Sequence, residues 1–214
     1  MLETLTTIIE SKLLKPKSLI FDLDDTLVSS NLDFATIREQ IGCPPGNDIL
    51  KFTQNLPLPA RLEAEKIIYG HEMRDAESAT IIQGVEQVLA ELASNSIKLA
   101  IVTRNSNQAT QIKLQRTGIK VDKVITREDA PPKPAPDALL SIANDWQIKP
   151  QDCIYVGDFR YDLEAALNAN MHAAWFSNGT SPAPKYSEMA HFSFAHYDEF
   201  IERLDNYWHS ARRL

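Results

Sequence analysis

The chain has 214 residues, with 22 Lys and Arg against 29 Asp and Glu, giving a formal net charge of −7 and a pI near 5.3. That length allows one sizeable core and a small inserted unit, not two full-sized domains, and the acidic balance offers no basic excess to displace counterions from a nucleic acid. With only Cys43 and Cys153, no basic leader and no stretch approaching a membrane span, the expectation is a soluble, cytoplasmic protein without nucleic-acid or membrane partners.

In chain order, Leu2 to Leu14 carries Leu5, Ile8, Ile9 and Leu13 at helical spacing before Pro16, which predicts an extra packed helix. Apolar runs then recur at Leu19 to Leu23, Leu99 to Val102, Val121 to Ile125, Ile154 to Val156 and Ala173 to Phe176, with His191 to Phe194 as a short last strand. Between them Val85 to Ser94, Asn107 to Thr117, Pro136 to Trp146 and Tyr161 to Asn170 read as helices, and Tyr197 to Trp208 as a closing helix. Such alternation predicts crossovers and a largely parallel sheet. Cys153 opens one of the apolar runs and reads as a buried structural thiol.

The stretch from Leu32 to Ile82 is far longer than a crossover needs and holds no convincing strand. Phe34 to Gln40, Asp48 to Gln54 and Ala60 to Ala76 read as short helices, split by Cys43-Pro44-Pro45-Gly46 and Leu56-Pro57-Leu58-Pro59. The expected organisation is an α/β, Rossmann-like three-layer core over residues 1–31 and 82–214. A small all-helical unit over 32–81 is inserted after the first strand.

Three acids crowd the end of the first apolar run, in Asp22-Leu23-Asp24-Asp25. Residues i and i+2 leave an extended segment on the same side, so Asp22 and Asp24 can converge while Asp25 points elsewhere. Ligands of an open parallel sheet bind beyond the carboxyl ends of its strands. The other ends supply Thr103, Arg104 and Asn105 after Val102, and Gly157, Asp158 and Asp162 after Val156, while Lys133 precedes the Pro136 helix. Taken singly, each has a plain alternative: Thr103 as a helix N-cap, Lys133 as solvated loop, Asp158 as a turn former, Asp162 as a first-turn acid.

Taken together, these residues resemble the haloacid dehalogenase superfamily of phosphohydrolases. Its motifs match in order as Asp22-Leu23-Asp24-Asp25-Thr26, Thr103, Lys133-Pro134, and Gly157-Asp158 with Asp162. The helical insertion looks like the family's early cap, Gly84 resembles the glycine where the chain re-enters the core, and the phosphoglycolate phosphatase branch is the most similar. The resemblance implies Asp22 as nucleophile, Asp24 as proton donor and acceptor, and Thr103 and Lys133 on the phosphoryl oxygens. Arg104 and Asn105 are further candidate substrate contacts. Four carboxylates facing a phosphate dianion with one lysine between them call for a divalent cation. Magnesium on Asp22, Asp158 and the backbone carbonyl of Asp24 is the expected cofactor, with Asp162 acting behind them through water or by orienting Lys133.

The expected reaction is hydrolysis of a small phosphorylated metabolite, phosphoglycolate or a sugar phosphate, through an aspartyl-phosphate on Asp22. A dehalogenase has no need of Asp24. A phosphomutase of the beta-phosphoglucomutase type would keep both acids, and a non-catalytic module binding phosphorylated ligands or a protein would be expected to lose one. In the insertion, Arg38, Arg61, His71 and Arg74 are candidate substrate contacts that read equally as surface residues. The oligomeric state is left open.

Overall fold

The structure is a computed structural model that describes residues 15–211. The helix expected over Leu2 to Leu14 lies outside them. Six parallel strands, β1 (Ser18–Phe21), β2 (Lys98–Val102), β3 (Lys123–Ile125), β4 (Cys153–Gly157), β5 (His172–Phe176) and β6 (Phe192–Phe194), form one sheet in the order β3-β2-β1-β4-β5-β6. The chain steps outward from β1 in one direction, then returns to β4 on its other flank, so the order reverses between β1 and β4. A crevice opens at such a reversal, beyond the carboxyl ends of the strands. Register aligns those ends: Phe21 pairs with Ile101 on one side and Val156 on the other.

The strands are continuous apolar runs because both faces of the sheet are covered. Leu19 and Phe21 point to the side of α4 (Val85–Ser94) and α8 (Phe200–Ala211), where they pack with Val88, Leu92, Leu204 and Trp208. Ile20, Ala100 and Tyr155 point the other way, against Leu139 and Ile142 of α6 (Asp137–Asp145) and Leu163 of α7 (Arg160–Asn168). This is the expected three-layer α/β arrangement. After β2 comes α5 (Asn107–Thr117), opened by the Ser106 hydroxyl accepting from the Ala109 N–H and closed by Gly118 in a left-handed conformation.

Between β1 and α4 run α1 (Phe34–Ile41), α2 (Ile49–Gln54) and α3 (Leu58–Ala76). They share a small core of their own, Ile37, Cys43, Ile49 and Ile68. The segments leading in and out pair with each other: the Ser29 N–H donates to the Thr80 carbonyl at 2.8 Å, and Val28 bridges Ile81.

Several boundaries differ from expectation, each for a local reason. β1 stops at Phe21 because the chain turns at Asp25, whose φ of 52° is left-handed and whose N–H donates to the Val28 carbonyl. β3 begins only at Lys123. Helix α3 starts inside the proline-rich break, since proline is tolerated in a first turn. Pro136 and Trp146 cap α6 and do not extend it. α7 begins at Arg160 and ends at Asn168. The closing helix starts at Phe200, after Glu199 has taken the Ala195 N–H and shaped a preceding turn.

Candidate active site

The rim is built from the residue that follows each aligned strand. Asp22 continues β1 by one step, its N–H donating to the Val156 carbonyl at 2.8 Å. Its carboxylate meets the ammonium of Lys133 at 2.7 Å, and the same ammonium lies 2.6 Å from Asp162 Oδ1. Asp162 Oδ1 also lies 3.2 Å from the Tyr155 hydroxyl, and its Oδ2 accepts the Phe159 N–H at 3.0 Å. Asp162 therefore caps α7 and contacts the Lys133 ammonium at once. Gly157 makes this possible: a Cβ there would sit 2.3 to 2.5 Å from the Asp162 side chain.

Asp158 follows β4 and accepts the Thr26 hydroxyl at 3.0 Å, while its backbone carbonyl is fixed by the Trp175 indole N–H at 2.8 Å. Carboxylate oxygens of Asp22, Asp158 and Asp162 all lie within 4.8 Å of one another. Burial pushes the Asp22 carboxyl up to about 7, with Lys133 opposing the rise and Asp162 adding to it. Burial first, then Asp162 and Asp22, hold Asp158 well above the usual carboxylate range. Burial alone would lower the Lys133 ammonium, but Asp162 and Asp22 outweigh it and hold it above its ordinary value. Carboxyls that resist ionisation beside an engaged lysine mark a site short of positive charge.

Thr103 follows β2, buried, and its Oγ1 accepts from the Asn105 backbone N–H at 3.2 Å and side-chain amide at 3.3 Å, which leaves its own proton to donate. Asn105 turns that amide on to Asp24 Oδ2 at 2.8 Å. The other oxygen of Asp24 meets the ammonium of Lys113. Asp25 supports the turn, accepting the Ser30 N–H at 3.1 Å.

Arg104 grips both oxygens of Asp48, at 2.6 and 2.8 Å, and its guanidinium lies 4.7 Å from the centre of the Tyr161 ring. This pair ties the start of α2 to the rim. Beside it opens a cleft of about 710 Å³ lined by Asp48, Lys51, Phe52, Arg104, Lys133 and Tyr161. The other candidates in the insertion are engaged locally or line no part of this cleft. Arg38 holds the Pro44 and Asn47 carbonyls, Arg61 pairs with Glu65 at 2.7 Å, and His71 bonds Gln40 at 2.8 Å.

The sequence pattern did not single out Lys113, Tyr155, Asp48 or the pair of Glu72 with Arg127 that pins α3 to the core. One signal was present: Lys113 shares a helical face with Ala109 and Thr110, both small enough for a buried stripe.

Residues 30–176 match the haloacid dehalogenase-like hydrolase family, a span that begins beyond Asp22 and Asp24 and contains Thr103, Lys133, Asp158 and Asp162. A haloacid dehalogenase-like hydrolase domain-containing protein of Arabidopsis thaliana is 31 % identical over 153 residues, 66 % of this chain and 62 % of that protein. Phosphoglycolate phosphatase 1 of Pseudomonas aeruginosa is 27 % identical over 203 residues, 82 % of this chain and 74 % of that enzyme. Among solved structures, a hydrolase from Pseudomonas syringae superposes with a TM-score of 0.74 over 89 % of this chain and 98 % of that one, at 19 % identity, which is a likeness of fold. Because the family match runs through the strands and helices that carry most of this rim, the chain belongs to the haloacid dehalogenase-like hydrolases.

Proposed function

We propose that the protein is a magnesium-dependent phosphatase that hydrolyses small phosphomonoesters through an aspartyl-phosphate on Asp22. The observation that carries the reading is the set of carboxylates on Asp22, Asp158 and Asp162 within 4.8 Å, with Lys133 seated between two of them. The donor set fits magnesium because it is all oxygen, with no histidine or cysteine, as a hard cation prefers. Asp22, Asp158 and the Asp24 carbonyl would hold the ion, since both oxygens of Asp162 already have partners. When bound, the ion offsets the negative charge that these carboxylates share with a phosphate.

In this reading Asp22 attacks phosphorus and the bond to the leaving oxygen breaks, its electron pair staying on that oxygen. Asp24, protonated when the ester binds, gives that proton to the leaving oxygen and regains one from the water that attacks the aspartyl-phosphate. Attack by that water frees Asp22 and yields inorganic phosphate. Thr103 donates to a phosphoryl oxygen and Lys133 neutralises another, both acting as fixed charges that need no rearrangement during the step.

Residues 32–81 act as the cap, and the cleft beside Arg104 and Tyr161 receives the leaving group. The phosphoglycolate phosphatases among the relatives support a small anionic or hydroxylated metabolite as substrate. The two cysteines, both buried free thiols, suit a reducing cytoplasm, and no helix among the described residues is long and apolar enough to cross a membrane.

Phosphate release from phosphoglycolate, several sugar phosphates and para-nitrophenyl phosphate, with magnesium and with chelator, tests the reading. Turnover should require magnesium and fall to background in Asp22→Asn. Activity that survives that substitution would overturn the nucleophile, and isomerised sugar phosphate without net phosphate release would make the protein a mutase.

A further inference from the structure

Lys113 stands on α5 with its side chain fully buried, a rare setting for a lysine. Its ammonium bridges Asp24 Oδ1 and, at 2.6 Å, Asp75 Oδ2. Asp24 gives its other oxygen to the Asn105 amide, so both of its oxygens have a fixed partner. Asp75 lies in the last turn of α3 and also accepts the Ser30 hydroxyl at 3.1 Å. One side chain thus joins the acid two residues beyond Asp22 to the returning helix of the insertion.

Packing does not account for a lysine here. Its neighbours on the same face, Ala109 and Thr110, are buried, and an apolar side chain would fill that face without desolvating an ammonium. Buried ion clusters commonly give no more stability than apolar groups of the same volume. What the ammonium adds is direction. A carboxylate held by an ammonium on one oxygen and an amide on the other cannot turn without losing both bonds. The Asp24 side chain remains 20 % exposed, so the held carboxyl is still reachable from solvent.

We propose that Lys113 is a positioning residue: it holds the Asp24 carboxyl in the direction from which it serves the leaving oxygen, and through Asp75 it ties that direction to α3. The inference rests on the phosphatase reading of the same site. Its consequence is selective. Loss of Lys113 is felt where the leaving oxygen needs a proton and is hardly felt where it departs as a stable anion.

The test compares kcat/KM, which reports steps up to departure of the leaving group, for β-glycerophosphate and 2,4-dinitrophenyl phosphate with magnesium. Lys113→Met should lower the first about 100-fold and the second less than about 5-fold, the size of a displaced general acid. In an Asp24→Asn background the same substitution should cost less than about 3-fold on β-glycerophosphate, because the group it positions is already disabled. Activity on the dinitrophenyl ester also certifies a folded site; Lys113→Leu replaces the methionine variant should that one not fold, and Lys113→Gln, which keeps two N–H donors, should retain more activity on β-glycerophosphate than either. Equal losses on both substrates, or full additivity with Asp24→Asn, would assign Lys113 to structure alone and leave the phosphatase reading standing. No turnover of either ester by the unmodified protein would overturn both.

Discussion

Two buried lysines flank the Asp22 to Asp24 segment, and each bridges one of those acids to a distant aspartate. Lys133 joins Asp22 to Asp162, and Lys113 joins Asp24 to Asp75. The construction is the same and the surroundings differ. Around Lys133 a further carboxylate, Asp158, crowds the other two, and both Asp22 and Asp158 are held above their ordinary range. Around Lys113 the added hydrogen-bond partners are neutral, Asn105 on Asp24 and Ser30 on Asp75, and the nearby Asp25 is turned to the Ser30 N–H. One lysine sits in a deficit of positive charge, the other in a polar network that is already satisfied. Similar ion pairs therefore sit in different surroundings, one crowded by a third carboxylate within 4.8 Å and the other bounded by neutral hydrogen-bond donors.

The contrast breaks hardest at Lys133. Lys133→Met leaves two buried carboxylates facing each other and should cost about 3–5 kcal/mol in urea unfolding. A variant as stable as the parent would mean that this pair does not hold the rim together. Next is Gly157→Ala, whose added methyl meets Asp162 at 2.3 to 2.5 Å. A cost of about 1–3 kcal/mol is expected, with activity falling alongside as Asp162 is pushed off Lys133. An unaltered Tm would show that Asp162 has room to move.

A third test concerns the charge deficit itself. With Asp22 raised to about 7, the folded protein keeps a proton that the unfolded chain releases near 4. Metal-free stability should therefore fall as pH rises from about 4 to about 7, by about 1.4 kcal/mol for each unit by which the carboxyl is raised. Saturating magnesium should flatten that decline. Melting curves in chelator and in magnesium that keep the same slope would remove the deficit as a reason for a metal.

The sheet was legible because a strand buried on both faces has to be apolar throughout, as Ser18–Phe21 and Cys153–Gly157 are nearly so. The rim was legible for a related reason: charge is costly at the end of such a strand, so Asp22 and Asp158 stand out locally. Lys113 did not stand out. Within Gln111-Ile112-Lys113-Leu114-Gln115-Arg116 it reads as one more solvated residue, and nothing nearby announces that Asp75 will face it across the fold. Arg104 illustrates the same limit, since its partner Asp48 lies on a different helix. Helix ends moved by a few residues where side chains such as Glu199 and Asp162 competed for backbone N–H groups, a contest that periodicity does not register.

The pairing of Ser29 with Thr80 has a consequence for how this molecule can vary. The helical segment leaves and re-enters through a single doorway, with its two jambs already hydrogen-bonded. A segment of another length or shape hung on the same doorway would change the loop closed by that contact at only a slow logarithmic entropy cost. It would leave the register of β1 and the start of α4 as they are. The rim and the helical segment are in that sense separable, and Lys113 with Asp75 is a stitch that any new segment would have to remake.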